Sequence, residues 1–135
     1  MEGSNQAKEL IIATRQLYTE KIKLWNGDDY IGYCHRISVS DNLRKVDKLS
    51  KKESIALLDK DIKKISSQLN KHLTVNLTQN QYDALVSLVY DIGIKALVTD
   101  ELFILLNKNK LIEVASQFRK FNKYMKKPIY QLIKN

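Results

Sequence analysis

The segment from Thr78 to Gly93 constrains the fold most. Thr78 and Gln81 stand at the spacing of a capping box, in which two side chains satisfy free amides at a helix start. Apolar side chains then fall on nearly every side of the predicted helix, at Ala84, Leu85, Val86, Leu88, Val89 and Ile92. A helix that is apolar all round must be covered by other elements. Gly93 is suited to the left-handed residue that ends a helix. The segment therefore predicts a central buried helix.

A second long helix is predicted over residues 50–72. Ser50 and Glu53 form another capping box. After them, a regular spacing of three and four residues separates Ile55, Leu58, Ile62, Ile65 and Leu69. Such a narrow apolar stripe on a long helix is typical of a helix that joins two lobes.

The N-terminal part of the chain changes its pattern near residue 23. Helical spacing of apolar residues predicts a helix over residues 7–22, and the period fails over residues 23–49. There Asn26-Gly27 favours a tight turn, and Tyr30 to Cys34 follow it as a short strand. With a helical region at 73–135, the pattern predicts one domain over residues 1–135 of the α+β class, mainly α, with a small β lobe.

Composition excludes several classes of protein. Hydrophobic residues make up 44% of the chain, and it has 1 Pro and 4 Gly, which argues against disorder. Cys34 is the single cysteine, so an internal disulfide and a multi-cysteine metal site are excluded. We expect no metal and no cofactor. No signal peptide or membrane span is predicted from the N-terminal residues.

The chain is basic, with a formal net charge of +8. Positive charge concentrates between Lys108 and Lys127, where Phe118, Phe121 and Tyr124 are interleaved. Such a balance suits nucleic acid, an anionic membrane surface or an acidic wall polymer. Solvated helix faces explain the same stretch equally well.

Two stretches carry a more specific signal. The run from Leu77 to Gly93 closely resembles the central helix of phage-type lysozymes, glycoside hydrolase family 24. The run Ile31-Gly32-Tyr33-Cys34-His35 is similar to that family's TIGYGH hairpin strand, with Cys34 in place of a glycine. The resemblance implies a two-lobe fold, in which a β-hairpin lobe and a helical lobe are joined by the long helix, and muramidase chemistry on peptidoglycan. It also implies synthesis in the cytoplasm of a bacterial or phage-infected cell, and it leaves the final site open.

The same resemblance implies that the catalytic residues are lost. Glycoside hydrolysis needs a protonated carboxylic acid and a second carboxylate. Counting back from Ile31 without a gap, the family's Glu position is Arg15, its Asp position is Leu24 and its Thr position is Tyr30. Guanidinium stays protonated at any working pH, and leucine has no ionisable group. We therefore expect no catalytic residue at these positions.

A different register keeps an active enzyme as an alternative. Glu20 and Asp29 have the family's spacing between acid and carboxylate. That register requires the hairpin to lose five residues, and the sequence shows no deletion. Solvated carboxylates explain both side chains more simply.

The sequence thus predicts an inactive lysozyme-like module whose old cleft binds a protein partner or a peptidoglycan glycan. The expected cleft residues are Arg15, Tyr30, Tyr33, His35 and Asp91, with His35 chiefly structural and Arg15 facing Asp91. Cys34 is expected to be a small buried residue. An active muramidase using Glu20 and Asp29, and nucleic-acid binding through the basic C-terminal stretch, remain alternatives. The oligomeric state stays open.

Overall fold

The computed structural model describes residues 1–43, 46, 48–110 and 112–114. In this part the chain is mainly helical and carries one antiparallel sheet of three strands, in the order β1-β2-β3. The elements in chain order are α1 (Asn5–Thr14), β1 (Tyr18–Lys23), β2 (Asp29–Gly32), β3 (His35–Arg36), α2 (Lys51–Asn70), α3 (Gln79–Ile92), α4 (Ile94–Val98) and α5 (Glu101–Asn107). None of the described helices is long and apolar enough to cross a membrane.

Helix α3 is the centre of the helical core, as its sequence predicts. Every residue from Gln81 to Val89 is buried. The Thr78 hydroxyl accepts from the Gln81 amide at 3.2 Å, and the Gln81 side chain accepts from the Thr78 amide at 2.9 Å. Gly93 has a φ of 85° and ends the helix. Helices α1, α2 and α4 pack against α3, so its apolar sides are covered.

Helix α2 joins the sheet to the helical core. It begins at the predicted capping box of Ser50 and Glu53 and buries the predicted stripe, including Leu58, Ile62 and Leu69. It packs against both β2 and α3. The lysozyme-like arrangement of a small β lobe and a helical lobe on one long helix is therefore present.

The boundary of the first helix was predicted wrongly. Helix α1 ends at Thr14, and Arg15 already has extended backbone angles. Residues 18–23, most of which were assigned to the helix, form β1 and pair with β2, with Ile22 opposite Tyr30. Apolar residues at helical spacing thus continue past the residue at which the helix ends. The chain leaves the helix there because the backbone of Tyr18 pairs with strand β2. The β lobe starts at Tyr18 instead of residue 23.

The tight turn was predicted correctly. Gly27 has a φ of 82°, and its amide donates to the Leu24 carbonyl at 2.9 Å. The predicted basic stretch from Lys108 to Lys127 lies mostly outside the described residues, as does the end of the predicted region 73–135. The single domain over residues 1–135 stays a prediction.

Candidate functional site

A cleft of about 560 Å³ opens between the sheet and helices α2 and α3. Its walls come from the β1–β2 turn, the strands β2 and β3, the middle of α2 and the end of α3. The lining residues are Asn26, Tyr30, Cys34, His35, Arg36, Asp61, Lys64, Ile65, Gln68 and the run 89–94. Polar side chains from two lobes therefore face one open space.

Arg15 and Asp91 form an ion pair beside this cleft. The Arg15 Nη2 donates to Asp91 Oδ1, and Nη1 donates to the Thr14 hydroxyl. The two charged side chains are only 9% and 13% exposed. Burial lowers the pKa of Arg15 below its usual value, and nearby Tyr90 and Cys34 oppose that shift only in part. The two residues that were expected to face each other do so; their role in binding stays a prediction.

Tyr90 completes this pair and was missed from the sequence. The Arg15 guanidinium lies over its ring, with Cζ 5.6 Å from the ring centroid, and its hydroxyl donates to the Tyr33 carbonyl. Burial raises the pKa of Tyr90, so its hydroxyl stays protonated. The available signal was its place next to Asp91 at the end of α3. Tyr90 thus links the β lobe to the helical core.

Tyr33 was expected to line the cleft, and that expectation is wrong. Its side chain is 5% exposed and belongs to the hydrophobic core. Strand β2 ends at Gly32, whose φ is 67°, and regular alternation would itself place Tyr33 on the face opposite Tyr30, because the two residues are three positions apart. Tyr30 does line the cleft, where Asn26 Nδ2 donates to its hydroxyl at 2.8 Å.

Among the described residues, the cleft lacks a free carboxyl group. Asp61 and Asp91 are the carboxylates of its lining, and each is bound to a cationic or basic side chain. The expected acid position is Arg15, and Leu24 is half-buried in the β1–β2 turn. Nothing among the described lining residues offers an unengaged acid to a glycosidic oxygen.

The alternative carboxylates lie away from the cleft. Glu20 is 67% exposed and pairs with Lys48 at 3.6 Å, and Asp29 pairs with Lys23 at 3.2 Å. Neither lines the cleft. Successive side chains of a strand point to opposite faces, so Asp29 points away from the face that Tyr30 presents. The geometry gives these two residues no shared substrate position.

Cys34 was expected to be buried and is only half-buried. It has a φ of 60°, at the place where the resembled family has a glycine. Its thiol donates weakly to the Gln16 carbonyl at 3.9 Å. Burial raises the pKa of the Cys34 thiol, against the opposing influence of Arg15. The thiol therefore remains protonated at neutral pH and is a poor nucleophile.

This left-handed backbone gives the first prediction. Cys34→Gly is expected to be about 1 kcal/mol more stable than Cys34→Ala, because glycine alone adopts a positive φ without strain. The comparison with alanine removes the thiol from both variants. The measurement is urea unfolding of the two proteins under one condition. Equal unfolding midpoints would show that the turn carries no strain.

His35 is held between two carboxylates. Its Nδ1 is 2.6 Å from Asp61 of α2, and its Nε2 is 3.0 Å from Asp41 in the loop after β3. Asp41 also accepts from the Ser38 amide at 2.8 Å. Burial by itself would lower the pKa of His35, but the two carboxylates outweigh it and raise the pKa above 6.5. His35 therefore ties the loop to α2, and no sequence signal identified Asp41 as its partner.

The cluster makes folding stability depend on pH. A raised His35 pKa contributes stability that is complete below the unfolded value of 6.5 and is lost as pH rises through the folded value. The pKa of Asp41 is lowered by its hydrogen bonds to Ser38 and His35 despite desolvation, so its contribution is present above 3.8 and lost in acid. The native protein is thus expected to lose stability as the pH rises above the unfolded value of 6.5.

The check is urea unfolding of the native protein and His35→Gln on both sides of that pH. The free-energy difference between them should shrink as the pH rises, because the neutral imidazole can donate to only one carboxylate. A difference that stays constant with pH would contradict the assignment of the charged state.

Comparisons with known proteins agree with the fold. The phage lysozyme family model matches residues 14–135. An endolysin of Acyrthosiphon pisum secondary endosymbiont phage 1 is 37% identical over 93 residues, covering 69% of this chain and 61% of that protein. An endolysin of Bacillus phage B103 is 31% identical over 125 residues, covering 91% of this chain and 46% of that protein. The chain spans about half the length of these curated relatives.

Solved structures show the same arrangement. The muramidase domain of SpmX from Asticcacaulis excentricus has a TM-score of 0.77 and 26% identity, covering 98% of this chain and 92% of that one. The endolysin from Escherichia coli O157:H7 phage FAHEc1 has a TM-score of 0.79 at 23% identity, covering 99% and 89%, and indicates the fold alone. With a family model that matches most of its length, the chain belongs to the phage lysozyme family.

Proposed function

We propose that this protein is a catalytically inactive member of its family, which binds a ligand in the cleft without cleaving it. The observation that carries the proposal is the largely buried Arg15–Asp91 ion pair. It stands where the family resemblance places the general acid. A guanidinium cannot hand a proton to a leaving oxygen at any working pH. The pair therefore replaces a reacting group with a structural one.

A peptidoglycan glycan is the ligand that we favour. The cleft is lined by the Tyr30 ring and by the side-chain amides of Asn26 and Gln68. Amides both donate and accept, as sugar hydroxyls do, and an aromatic ring packs against the apolar face of a pyranose. Membership of a lysozyme family supports the same ligand. A protein segment in the cleft is the alternative ligand.

An active muramidase is the competing function. It is favoured by the relatives, which are named endolysins. A turbidity assay on bare peptidoglycan separates the two functions, with Glu20→Gln as the second sample. We expect no clearing by either protein. Clearing by the native chain that Glu20→Gln abolishes would establish the active enzyme and overturn the proposal.

Binding is tested separately by co-sedimentation with the same peptidoglycan. The native protein should pellet with it, and Tyr30→Ala should weaken that retention by about tenfold, since loss of one stacked ring removes on the order of 1 kcal/mol or more. Tyr18→Ala is the matched control, because Tyr18 lies on the neighbouring strand outside the cleft lining. No retention of the native protein, or equal losses in the two variants, would contradict a glycan in the cleft.

A further inference from the structure

The acidic side chains of helix α2 have partners within the described part of the fold, whereas most of its basic side chains do not. All three carboxylates of α2 have partners. Glu53 closes the capping box, Asp59 pairs with Lys8 at 2.9 Å, and Asp61 binds His35. The two aspartates therefore have basic partners, whereas Glu53 is exposed and, among the described residues, bound only to Ser50 at the helix start.

Its lysines are not engaged in the same way. Six exposed lysines of α2 and its C-cap have no ion pair within the described part of the chain, and all but Lys51 lie on one side of the helix: Lys52, Lys60, Lys63, Lys64 and Lys71. At 3.6 residues per turn they share an arc of about 120° on the side opposite the buried stripe. We call this set the lysine row. It extends over about 28 Å of helix axis.

The chemistry of the row limits its partner. Ala56 and Ser67 are exposed on the same face, which carries no aromatic and no large apolar side chain. The row therefore lacks the apolar side chains that insert into a membrane interface and the aromatic side chains that stack on single-stranded bases. Lysine is a hydrated point charge without the fork of arginine, so the row suits evenly spaced anionic groups better than one planar anion.

The row is continuous with the cleft. Lys64 belongs to the row and also lines the cleft, next to Gln68. Apart from the adjacent Lys63 and Lys64, successive lysines are about 5 to 12 Å apart along the axis, as helical turns dictate. An extended anionic chain that carries charges along its length and runs past the edge of the cleft matches the length and the sign of the row.

We propose that the lysine row binds the phosphodiester polymers of the bacterial wall while the cleft holds the glycan. This inference rests on the proposed function, because it assigns the second ligand of a wall-binding module. Each phosphate that a lysine neutralises releases a counterion, so binding should weaken with salt. The fold supplies the row on one rigid helix, and its lysines need no rearrangement of the backbone to meet a chain.

The test compares walls that carry polyol-phosphate polymer with the same walls stripped by hydrofluoric acid. The row variant is K52Q/K60Q/K63Q/K71Q, which leaves Lys64 in the cleft. The matched control is K51Q/K95Q/K108Q/K110Q, which removes the same number of exposed charges outside the lysine row. On phosphate-bearing walls the row variant should bind at least about tenfold more weakly, and its slope of log affinity against log salt should fall by about 3. On stripped walls it should bind as the native protein does.

The outcomes separate the two proposals. Equal losses of affinity for phosphate-bearing walls in the row variant and the control would show that net charge alone causes the effect, and would overturn the inference. So would native-like binding of the row variant to both walls. Tighter, row-dependent binding to random-sequence duplex DNA would assign the row to nucleic acid instead. Failure of the native protein to bind stripped walls, or hydrolysis of them, would count against the proposed function whatever the row does.

Discussion

Arg15→Met is expected to lower the free energy of unfolding by about 3–5 kcal/mol, because it leaves Asp91 buried and without a counter-charge. Other hydrogen bonds do not compensate Asp91 for this loss, since its Oδ2 is already buried without a hydrogen-bond partner in the described residues. The guanidinium of Arg15 also packs on the Tyr90 ring, and that contact is lost with it. Urea unfolding of the native and variant proteins measures the loss.

The opposite change should be milder. Asp91→Asn keeps the size of the side chain, and Arg15 retains Thr14 and the Tyr90 ring as partners. Replacing both residues with apolar ones, in Arg15→Met with Asp91→Leu, should recover much of the loss, because no buried charge is left unpaired. The double-mutant cycle of Arg15→Met, Asp91→Leu and their combination should therefore show a coupling free energy of about 2 kcal/mol or more.

The exposed pair of Lys23 and Asp29 is the control for that cycle. Its side chains are 65% and 40% exposed, so the same replacements should cost less than about 1 kcal/mol and show little coupling. Additive effects at Arg15 and Asp91 would contradict the proposal that this pair replaces a reacting group with a structural one.

The sequence identified the core better than the boundaries. Buried residues of α2 and α3 recur at helical spacing, and both capping boxes state where the helices begin. The end of α1 has no such mark, because Leu17 and Tyr18 continue the helical spacing into β1. The boundary between α1 and β1 is set by the pairing of Tyr18 with Gly32, a partner that helical spacing does not reveal because it lies further along the chain.

Some residues of the candidate site could be predicted from the sequence and others could not. The ungapped count from Ile31 gave Arg15, the resemblance of the central helix gave Asp91, and the two side chains expected to face each other are in contact. The partner of His35 in the loop could not be predicted, since Asp41 reaches it only after the chain reverses behind β3. Tyr33 was misplaced because alternation was not applied: a residue three positions after Tyr30 lies on the opposite face of a strand, and Tyr33 is buried in the core.

Restoring the lost groups is expected to give the largest change in activity. The variant R15E/L24D/Y30T/D91N places the family's acid, carboxylate and hydroxyl at the three positions that the resemblance assigns. Its hydrolysis of peptidoglycan should rise at least about 100-fold above the native protein, since a positioned acid–base group contributes roughly 10²–10⁴ in rate. Release of soluble fragments from bare peptidoglycan measures the change.

Asp91 has to change together with Arg15. Arg15→Glu beside an unchanged Asp91 would put two carboxylates in one poorly solvated place, where each raises the pKa of the other and the fold loses stability. With asparagine at position 91, the new carboxyl group would still lie next to the Tyr90 ring, where the surroundings already desolvate Arg15. Burial of that kind raises the pKa of a carboxyl and keeps it protonated, which a general acid requires.

The matched control is R15Q/L24D/Y30T/D91N, which differs from the restored variant by one ionisable group. It should release no more fragments than the native protein, because an amide cannot donate the proton to the leaving oxygen. If the restored variant folds, binds peptidoglycan and stays as inactive as this control, then the cleft itself no longer holds a glycan in a reactive pose. In that case the loss of cleavage lies deeper than the three replaced positions, and the Arg15–Asp91 pair would be a consequence of inactivity rather than its cause.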